Sequence, residues 1–426
     1  MAALVAYAAL CLLWPAVGEP AGTLMAILGL VAVLSWGKGL RGSAPVWLLL
    51  MAVLVQLISW TGGYLHHPEW ISDIPQLDRL GKQFMFIGVA WWLGGNTRLT
   101  RWVWGLAALG VVVVMLPPFT DWAVWQRGLS GQRVGLSIRN AQHDAMLLGT
   151  VLIGLVAMSP RLLGAGPWRP LRWVGWWLGL AVCLAGVLVT QTRAAWLGLL
   201  VALCVAGLCW GVYERAVGHP RAARRMFSLL GGLVLLVVLV GGYFHEALER
   251  RLGQESQVIA QILAGEMAQV PDTSIGIRIH SWRAAGEWIA ERPVAGWGGQ
   301  ARGLVMQHTE WLSPVYEERF GHLHNSFLEL WVAYGILGVG AILALTAWVG
   351  IGTWKAWRAR VIPGDMALFA VAFFVFWLLV NQFESFMAFG SGVYVFNMVV
   401  GGLVTHIWRW QVETGHRVFA VIRHGN

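Results

Sequence analysis

The sequence has little charge. Only 12% of its 426 residues are Asp, Glu, Lys or Arg, whereas 58% are hydrophobic. A soluble domain has about 25% charged and about 45–50% apolar residues. The shortage of charged residues excludes a soluble globule, because a water-facing surface of this area needs more charge. The high apolar content excludes disorder, collagen-like repeats and coiled coils. A membrane protein with many spans remains.

Cysteine is also scarce, and its positions exclude two further classes. The four cysteines all lie inside apolar runs, where thiols behave as small hydrophobes; they are Cys11, Cys183, Cys204 and Cys209. Their spacing matches neither a disulfide framework nor a zinc ribbon. Tyrosine is rare beside tryptophan, 7 against 28, and many tryptophans fall near the ends of apolar runs, as an interfacial aromatic belt requires.

Long apolar runs dominate what is present. A transmembrane helix needs roughly 20 mainly apolar residues, and about twelve runs qualify, some of them short. They are Ala2–Val17, Ala21–Trp36, Val46–Trp60, Phe84–Gly95, Val103–Leu116, Ala145–Met158, Trp173–Val189, Trp196–Tyr213, Phe227–Phe244, Phe327–Ile351, Met366–Val380 and Val393–Trp408. The first run lacks the basic start and the cleavage site of a secretory signal, so we interpret it as a span. The sequence predicts an all-α polytopic membrane protein with about 12 transmembrane helices.

The basic residues orient this bundle. With a cytoplasmic N-terminus, the short inner loops and the C-terminal tail hold 17 of the 30 basic residues against three acids, as the positive-inside rule requires. The net charge of +9 is then a topology signal, and we expect both termini to be cytoplasmic. A nucleic-acid partner would need a clustered basic face, so we expect none; the partners of the apolar surface are membrane lipids.

The outer side carries two long loops. The first is Pro117–Asp144, and the second runs from His245 to Asn325. The chain therefore divides into spans 1–9 (residues 1–244), a long periplasmic helical loop (245–325), and spans 10–12 with a cytoplasmic tail (326–426). Within the long loop, helical apolar spacing over His245–Met267 and Ile275–Arg292 predicts two amphipathic helices. They could roof a cavity, or simply lie anchored on the membrane surface.

Arginine and histidine collect on this outer side. Eight of the 12 histidines lie there, as do nine arginines that topology does not require: Arg127, Arg133, Arg139, Arg193, Arg278, Arg283, Arg292, Arg302 and Arg319. The guanidinium fork matches phosphate geometry. The pattern indicates an anionic, lipid-linked substrate handled at the outer face.

Three local signals follow one another along the chain. The first is Thr190-Gln-Thr-Arg193-Ala-Ala-Trp196 at the outer end of a span. The second is Gly276-Ile-Arg278-Ile-His-Ser-Trp282, followed by Pro293-Val-Ala-Gly296-Trp-Gly298. The third is His322-Leu-His324-Asn325-Ser326, which opens the tenth span and leads to Gly335-Ile-Leu-Gly338.

In this order, and with the long outer loop, these signals resemble the O-antigen ligase and polymerase superfamily. The close resemblance covers about Thr190–Gly338, and the span count extends it loosely over the chain. It implies a metal-independent, GT-C-like membrane glycosyltransferase without cofactor. Its donor would be a polysaccharide on undecaprenyl diphosphate, at the periplasmic face of a Gram-negative inner membrane.

Within the superfamily we favour ligation of the O-antigen to a sugar of the lipid A core. Protein-modifying relatives tend to carry an added C-terminal domain, whereas about 18 residues follow the last span here. An O-antigen polymerase and a protein O-oligosaccharyltransferase remain alternatives. The sequence indicates neither the sugar repeat, nor the acceptor hydroxyl, nor the oligomeric state.

The chemistry suggests roles for the matching residues. The leaving diphosphate gains negative charge, which fixed cations stabilise, a role for Arg193 and Arg278 with Arg133, Arg139 or Arg283 as helpers. The acceptor hydroxyl must lose a proton, a task for a group that titrates near neutrality, and His324 in the His-Asn motif matches it. Direct attack would invert the anomeric configuration. We expect substrate-positioning roles for His322, Asn325 and Glu329.

Two other interpretations stay open. His322 and His324 could be half of a metal site completed by His280, His308, Glu310, Glu317 or Glu318, although no recognised ligand spacing is present. A transporter or flippase is the alternative of another class, but the span centres are almost free of the charged groups that transporters place at the midplane.

Three further carboxylates stand out near the outer ends of spans: Glu329, Glu384 and Asp144. Intramembrane carboxylates are functional candidates by default. Glu329 could orient a histidine or pair with an outer arginine, or it could be an interior salt bridge. For Asp78 and Lys82, four residues apart, we expect a local ion pair.

Overall fold

The structure is a computed structural model that describes residues 1–243, 258, 260–261, 263–265, 270–271, 273–312 and 321–419. Within these residues it is all-helical, without a strand. In chain order the helices are α1 Ala2–Leu10, α2 Pro15–Trp36, α3 Ala44–His66, α4 Asp78–Gly81, α5 Phe86–Leu93, α6 Thr97–Thr120, α7 Trp122–Leu129, α8 Ala141–Ala157, α9 Ser159–Leu162, α10 Arg169–Val189, α11 Arg193–Ala216, α12 Pro220–Tyr243, α13 Ser274–Glu291, α14 Ala301–His308, α15 Ser326–Arg358, α16 Gly364–Val380 and α17 Gly390–Thr414.

The polytopic, all-α prediction is confirmed, but the number of twelve spans is not. In the part of the chain that is described, seven helices are long and apolar enough to cross a membrane: α2, α3, α6, α10, α11, α15 and α17. Two further apolar helices, α8 and α16, have 17 residues each. Each predicted run coincides with a helix, yet α1 has only nine residues and α5 only eight. At 1.5 Å per residue, neither alone spans the hydrocarbon core.

Asparagine is the N-cap residue of three helices. Its side chain accepts hydrogen bonds from backbone N–H groups of the first turn, which have no partner within the helix. Asn96 accepts from the N–H of Leu99 before α6. Asn140 accepts from two N–H groups at the start of α8. Asn325 does the same for α15. The caps fix where α8 and α15 enter the bundle, and both of these helix starts belong to the candidate site.

The long outer loop is only partly described. The predicted helix over His245–Met267 lies largely outside the described residues. The second one is present as α13, which ends two residues before Pro293. Two short helices were not predicted: α14 within this loop, and α7 within the other long loop. Both have eight residues, too few for helical periodicity to stand out.

Several helix ends meet at one end of the bundle, which we call the site end. The hydroxyl of Thr192, before α11, donates to the carbonyl of Ala141 in α8 over 3.2 Å. The backbone N–H of Ser326, at the start of α15, donates to the carbonyl of Asn381 after α16 over 2.9 Å. His143 of α8 hydrogen-bonds Ser391 of α17 over 2.6 Å. Residues far apart in sequence thus share one surface.

A break in α15 anchors the turn that follows α13. At Gly335 the backbone has φ 60° and ψ −162°, a conformation open essentially to glycine alone. The Pro293–Gly298 turn fills the gap: the N–H groups of Trp297 and Gly298 donate to the carbonyls of Val332 and Ala333 over 2.9 and 2.8 Å. In return the N–H of Ile336 donates to the carbonyl of Pro293 over 2.9 Å. These backbone hydrogen bonds, which resemble those between paired β-strands, hold the turn against α15.

The glycines of both motifs make this close approach possible. A Cβ on Gly335 would overlap the carbonyl of Val294, and one on Gly296, where φ is +67°, would lie 2.5 Å from the backbone of Ala333. The two glycine motifs noticed in the sequence are therefore one docking joint. It fixes α13 against the helix whose start carries His324 and Asn325.

Candidate active site

The candidate site is centred on the buried carboxylate of Glu384, in the loop between α16 and α17. Its Oε1 lies 3.0 Å from Nε2 of His322, and its Oε2 lies 3.7 Å from Nδ1 of His324. The two imidazole centroids are 4.1 Å apart. Glu384 is 1% exposed, so this carboxylate is surrounded by protein and both histidines face it.

Arg278 reaches the same group from α13. Its Nη2 lies 3.4 Å from Oε1 of Gln142 and 3.3 Å from the carbonyl of Phe383. The amide nitrogen of Gln142 donates in turn to Glu384. Gln142 therefore bridges the guanidinium of α13 and the carboxylate beside the histidines.

The backbone at Leu323, between the two histidines, is held on both sides. The indole N–H of Trp282, one turn after Arg278 on α13, donates to its carbonyl over 2.9 Å. Its N–H donates to Oε1 of Glu329 over 3.0 Å. The next residue, His324, has φ +54°, a region that costs non-glycine residues free energy and clusters at functional sites. The two hydrogen bonds fix the backbone immediately before His324.

Glu329 ties this segment to the next element. It also accepts from the hydroxyl of Ser385 over 2.6 Å, and its Oε2 lies 3.7 Å from Nη1 of Arg302. Glu329 therefore contacts the backbone between the two histidines and lies near an outer arginine. Asn325 caps α15 and contacts Gln382 over 3.4 Å.

Further arginines gather at the same end. Arg133 and Arg193 act electrostatically on Arg278, and Arg139 lies over the ring of Phe389, 3.7 Å from its centroid. Phe389 is also 5.4 Å from the ring of His322. Arg283 is not brought into this group: it pairs with Glu287 over 3.3 Å and lies over Trp311.

The electrostatics favour an ionised Glu384 beside a neutral His324. Burial raises the pKa of the Glu384 carboxyl, but hydrogen bonds and charge from His322 and His324 outweigh it and hold the pKa well below its usual range. Burial lowers the pKa of His324; Glu384 opposes this, whereas His322 and Arg278 add to it. A neutral imidazole at physiological pH is able to accept a proton.

The surroundings of Arg278 disfavour its positive charge. Burial lowers its pKa; Glu384 opposes this, and Arg133 and Arg193 lower the pKa further. An anion placed among these three guanidinium groups would relieve their mutual repulsion. The arrangement suits a diphosphate.

One set of side chains could hold a metal ion. The ligand atoms of His322, His324 and Glu384 lie within 4.8 Å of one another, and two imidazoles with a carboxylate are usual zinc ligands. Among the described residues, the third ligand of such a set is Glu384. His308 stacks on Trp70 and His280 hydrogen-bonds Val270; Glu317 and Glu318 lie outside the described residues.

Sequence reasoning missed part of this site. Glu384 was noticed only as a carboxylate at a span edge, and neither Gln142 nor Phe389 was singled out. One signal was available: the polar cluster Asn381-Gln-Phe-Glu-Ser385 interrupts two apolar runs at the outer side. Gln142 and Phe389 carry no such signal, because amide and phenyl side chains are common at helix ends.

The comparison with protein families agrees with the motifs. A family model described as O-antigen ligase matches residues 178–343, from within α10 to a point in α15 beyond its break at Gly335, and this segment carries Arg193, Arg278, His322 and His324. No curated protein matches the chain. The family match covers less than half of the 426 residues, and it agrees with the resemblance of the Thr190–Gly338 motifs to the O-antigen ligase and polymerase superfamily.

Proposed function

We propose that this protein is an O-antigen ligase, which transfers the polysaccharide from undecaprenyl diphosphate to a sugar of the lipid A core. The observation that carries the proposal is the meeting of Arg278, His324 and Glu384 at the site end, with Arg133 and Arg193 close by. This meeting supports a mechanism in which cations stabilise a leaving diphosphate and a neighbouring base accepts the proton of an attacking hydroxyl. The site would face the periplasm of a bacterial inner membrane.

In the proposed reaction His324 acts as the general base. The acceptor hydroxyl gives its proton to the imidazole as its oxygen attacks C1 of the donor sugar, and the bond between C1 and the diphosphate oxygen breaks. The electron pair leaves with undecaprenyl diphosphate, whose growing charge Arg278 and Arg193 would stabilise. The ionised carboxylate of Glu384 would stabilise the imidazolium that forms. A single displacement inverts the anomeric centre; trapping a covalent glycosyl-enzyme would contradict this.

Reconstitution tests the function. Purified protein, undecaprenyl-diphosphate-linked glycan and lipid A-core should give a laddered lipopolysaccharide product. Chain lengthening on the lipid carrier would indicate a polymerase, and glycan on a protein acceptor an oligosaccharyltransferase. Glycan moved across the bilayer without a new glycosidic bond would indicate a flippase.

Substitution of the two central residues tests their roles. His324→Ala and Arg278→Ala should each lower the turnover by about 10²-fold or more, as expected for a lost general base or a lost charge stabiliser. Arg283→Ala is the matched control, because Arg283 lies on the same helix as Arg278 but pairs with Glu287. All three proteins should elute as folded detergent complexes. Near-wild-type turnover of either central variant would refute its role.

Metal independence is part of the proposal and is tested separately. Exhaustive chelation should leave the turnover unchanged. Zn²⁺ added afterwards should inhibit, because it would occupy His322, His324 and Glu384 and so remove the base. Loss of activity on chelation, restored by one metal ion, would instead make this triad a metal site.

A further inference from the structure

A two-part cavity lies beside the candidate site, between α2, α4, α15 and the loop before α17. Its deep chamber, about 370 Å³, reaches past Leu330 and Tyr334 into the bundle. Its surface chamber, also about 370 Å³, lies against α14. Arg79, Gly299 and Arg302 line both chambers. We call the pair the Arg79–Arg302 cavity.

This cavity lies beside the start of α15: Ser326 and Glu329 line it, whereas His322, His324 and Arg278 are not among its lining residues. Arg302 lies 5.3 Å from the centroid of Phe389, the ring that also contacts His322. Two consecutive residues of the α16–α17 loop contact different groups. The Glu384 carboxylate faces the histidines and Gln142. The Ser385 hydroxyl donates to Glu329 of the cavity wall. The Arg278 group, through Gln142, and the cavity wall, through Glu329, therefore contact two neighbouring residues of the α16–α17 loop, Glu384 and Ser385.

The wall of the deep chamber is largely apolar but carries three cations, Arg79, Lys82 and Arg302, and two carboxylates, Glu19 and Glu329. Lys82 is paired with Asp78 over 2.7 Å, and Arg302 lies near Glu329. Arg79 donates to the amide of Gln76 over 3.0 Å, and it makes no ion pair with a carboxylate of the described residues. One guanidinium thus keeps its charge available to an anionic ligand.

Three buried polar atoms of the same wall make no hydrogen bond within the described residues. They are Nη1 of Arg302, the hydroxyl of Tyr334 and Oε1 of Gln83. Tyr334 is 5% and Gln83 is 2% exposed. Buried polar groups are nearly always hydrogen-bonded, so donors and an acceptor clustered in one wall indicate a polar ligand.

The surface chamber adds groups that suit a sugar. Gln76, Gln300 and Gln307 line it. Each amide offers both donors and an acceptor, which matches the hydroxyl groups of a saccharide. Cations at the junction of the chambers and amides above it together fit a saccharide that carries negative charge.

We propose that the Arg79–Arg302 cavity is the acceptor site and binds the anionic saccharide headgroup of the acceptor glycolipid. The inference rests on the proposed glycosyl transfer, and it assigns the two substrates to opposite sides of His324. The diphosphate of the donor would bind at Arg278, Arg193 and Arg133. The acceptor hydroxyl would reach the base from the Arg302 side.

Kinetics with both purified lipids test the assignment. Arg79→Glu should raise the KM for lipid A-core by about tenfold or more, as expected when a hydrogen-bonded charge contact becomes a repulsion, and should leave the Kd for undecaprenyl diphosphate unchanged. Arg79→Lys should restore much of the loss. Arg98→Glu, an exposed reversal at the other end of the bundle, is the control for net charge.

A second variant tests the cavity without changing its charge. A Cβ on Gly299 would lie 3.2 Å from the side chain of Arg79 and 3.4 Å from the Tyr334 hydroxyl, so Gly299→Leu would fill the junction of the chambers. It should raise the KM for the acceptor with little effect on donor binding. Gly286→Leu, where a Cβ meets no atom within 4 Å, is its control.

The source of the negative charge is distinguished by the acceptor. With phosphatase-treated lipid A-core, the wild-type protein and the Arg79→Glu variant should have similar KM values if phosphate is the group bound; a persisting difference assigns the contact to a sugar carboxylate. A wild-type acceptor KM in both Arg79→Glu and Gly299→Leu, or weakened undecaprenyl diphosphate binding instead, would overturn the assignment. If wild-type protein forms no product at all, the proposed function itself fails.

Discussion

Trp282 shows how a motif residue can act through another residue. Its indole N–H holds the carbonyl of Leu323, and the next residue along the chain is His324 with its positive φ. Without this bond, the backbone can relax toward an ordinary conformation, and the imidazole moves. In the proposed mechanism Trp282 is therefore a positioning residue.

Trp282→Phe should therefore lower kcat by about tenfold or more while both KM values stay near wild type, because small misplacements of a catalytic group can cost up to about 10²-fold. The phenyl ring keeps most of the packing and removes only the donor. Steady-state kinetics with each lipid varied measure the split. Trp177→Phe, an exposed tryptophan on α10, should be neutral, and a kcat for Trp282→Phe within twofold of wild type would contradict the positioning role.

Burial lowers the pKa of His324 and Glu384 opposes this shift, which predicts a pH dependence. The imidazole must be neutral to act as the base, so activity is lost as the pH falls through its pKa. Glu384 raises that pKa, whereas burial, His322 and Arg278 lower it. Glu384→Gln removes this raising contribution and should shift the acid limb of kcat/KM to lower pH, with a lower maximum.

The measurement is kcat/KM against pH for wild type, Glu384→Gln and the control Glu310→Gln, whose carboxylate is exposed. The control should reproduce the wild-type limb. An acid limb of Glu384→Gln that stays in place or moves to higher pH would show that His324 is not the titrating base.

At the scale of elements, the break in α15 is the place where the Pro293–Gly298 turn docks against the Gly335–Gly338 motif. The Pro293–Gly298 turn pairs with backbone groups that the break at Gly335 exposes. This joint sets the position of α13, and with it Arg278 and Trp282, relative to the histidines at the start of α15. The glycines contribute by geometry and carry no chemistry of their own.

Gly335→Ala should destabilise the protein and weaken the site. A Cβ in this backbone conformation costs about 1–3 kcal/mol, and it would also overlap Val294. We expect a lower Tm in detergent and a lower kcat in the fraction that folds. Gly340→Ala lies in the same helix with no atom within 4 Å of its Cβ and should leave the Tm unchanged or slightly raised; equal Tm values for both variants would argue against the joint.

The same elements show how far the sequence can be interpreted. Local features were predictable: α13 follows from its apolar stripe and from Pro293, and Arg278 and His324 follow from motifs within one segment. Glu384 could not be placed, because its role depends on α8, α13 and the α16–α17 loop meeting in space. The glycine motifs were recognised, but their pairing with each other depends on a break in a helix, which no periodicity predicts.

At the scale of the whole molecule, the helix ends divide into two groups. His66 and Asp121 are exposed at the site end, with the start of α8, α11 and α15. Arg98 and Arg221 are exposed at the starts of α6 and α12, where the chain enters from the opposite end. The basic residues of the inner loops belong to this second group, which predicts that it is cytoplasmic and that the site end is periplasmic.

Single cysteines test this orientation in a chain whose four native cysteines are replaced by alanine and which retains activity. His66→Cys and Asp121→Cys should react with a membrane-impermeant maleimide in intact spheroplasts, whereas Arg98→Cys and Arg221→Cys should react only after permeabilisation. Since donor and acceptor lipids both meet at the site end in the proposed reaction, that end must be the one where the lipid-linked glycan is exposed. The reverse labelling pattern would place the base and the arginines in the cytoplasm and would exclude ligation at the periplasmic face.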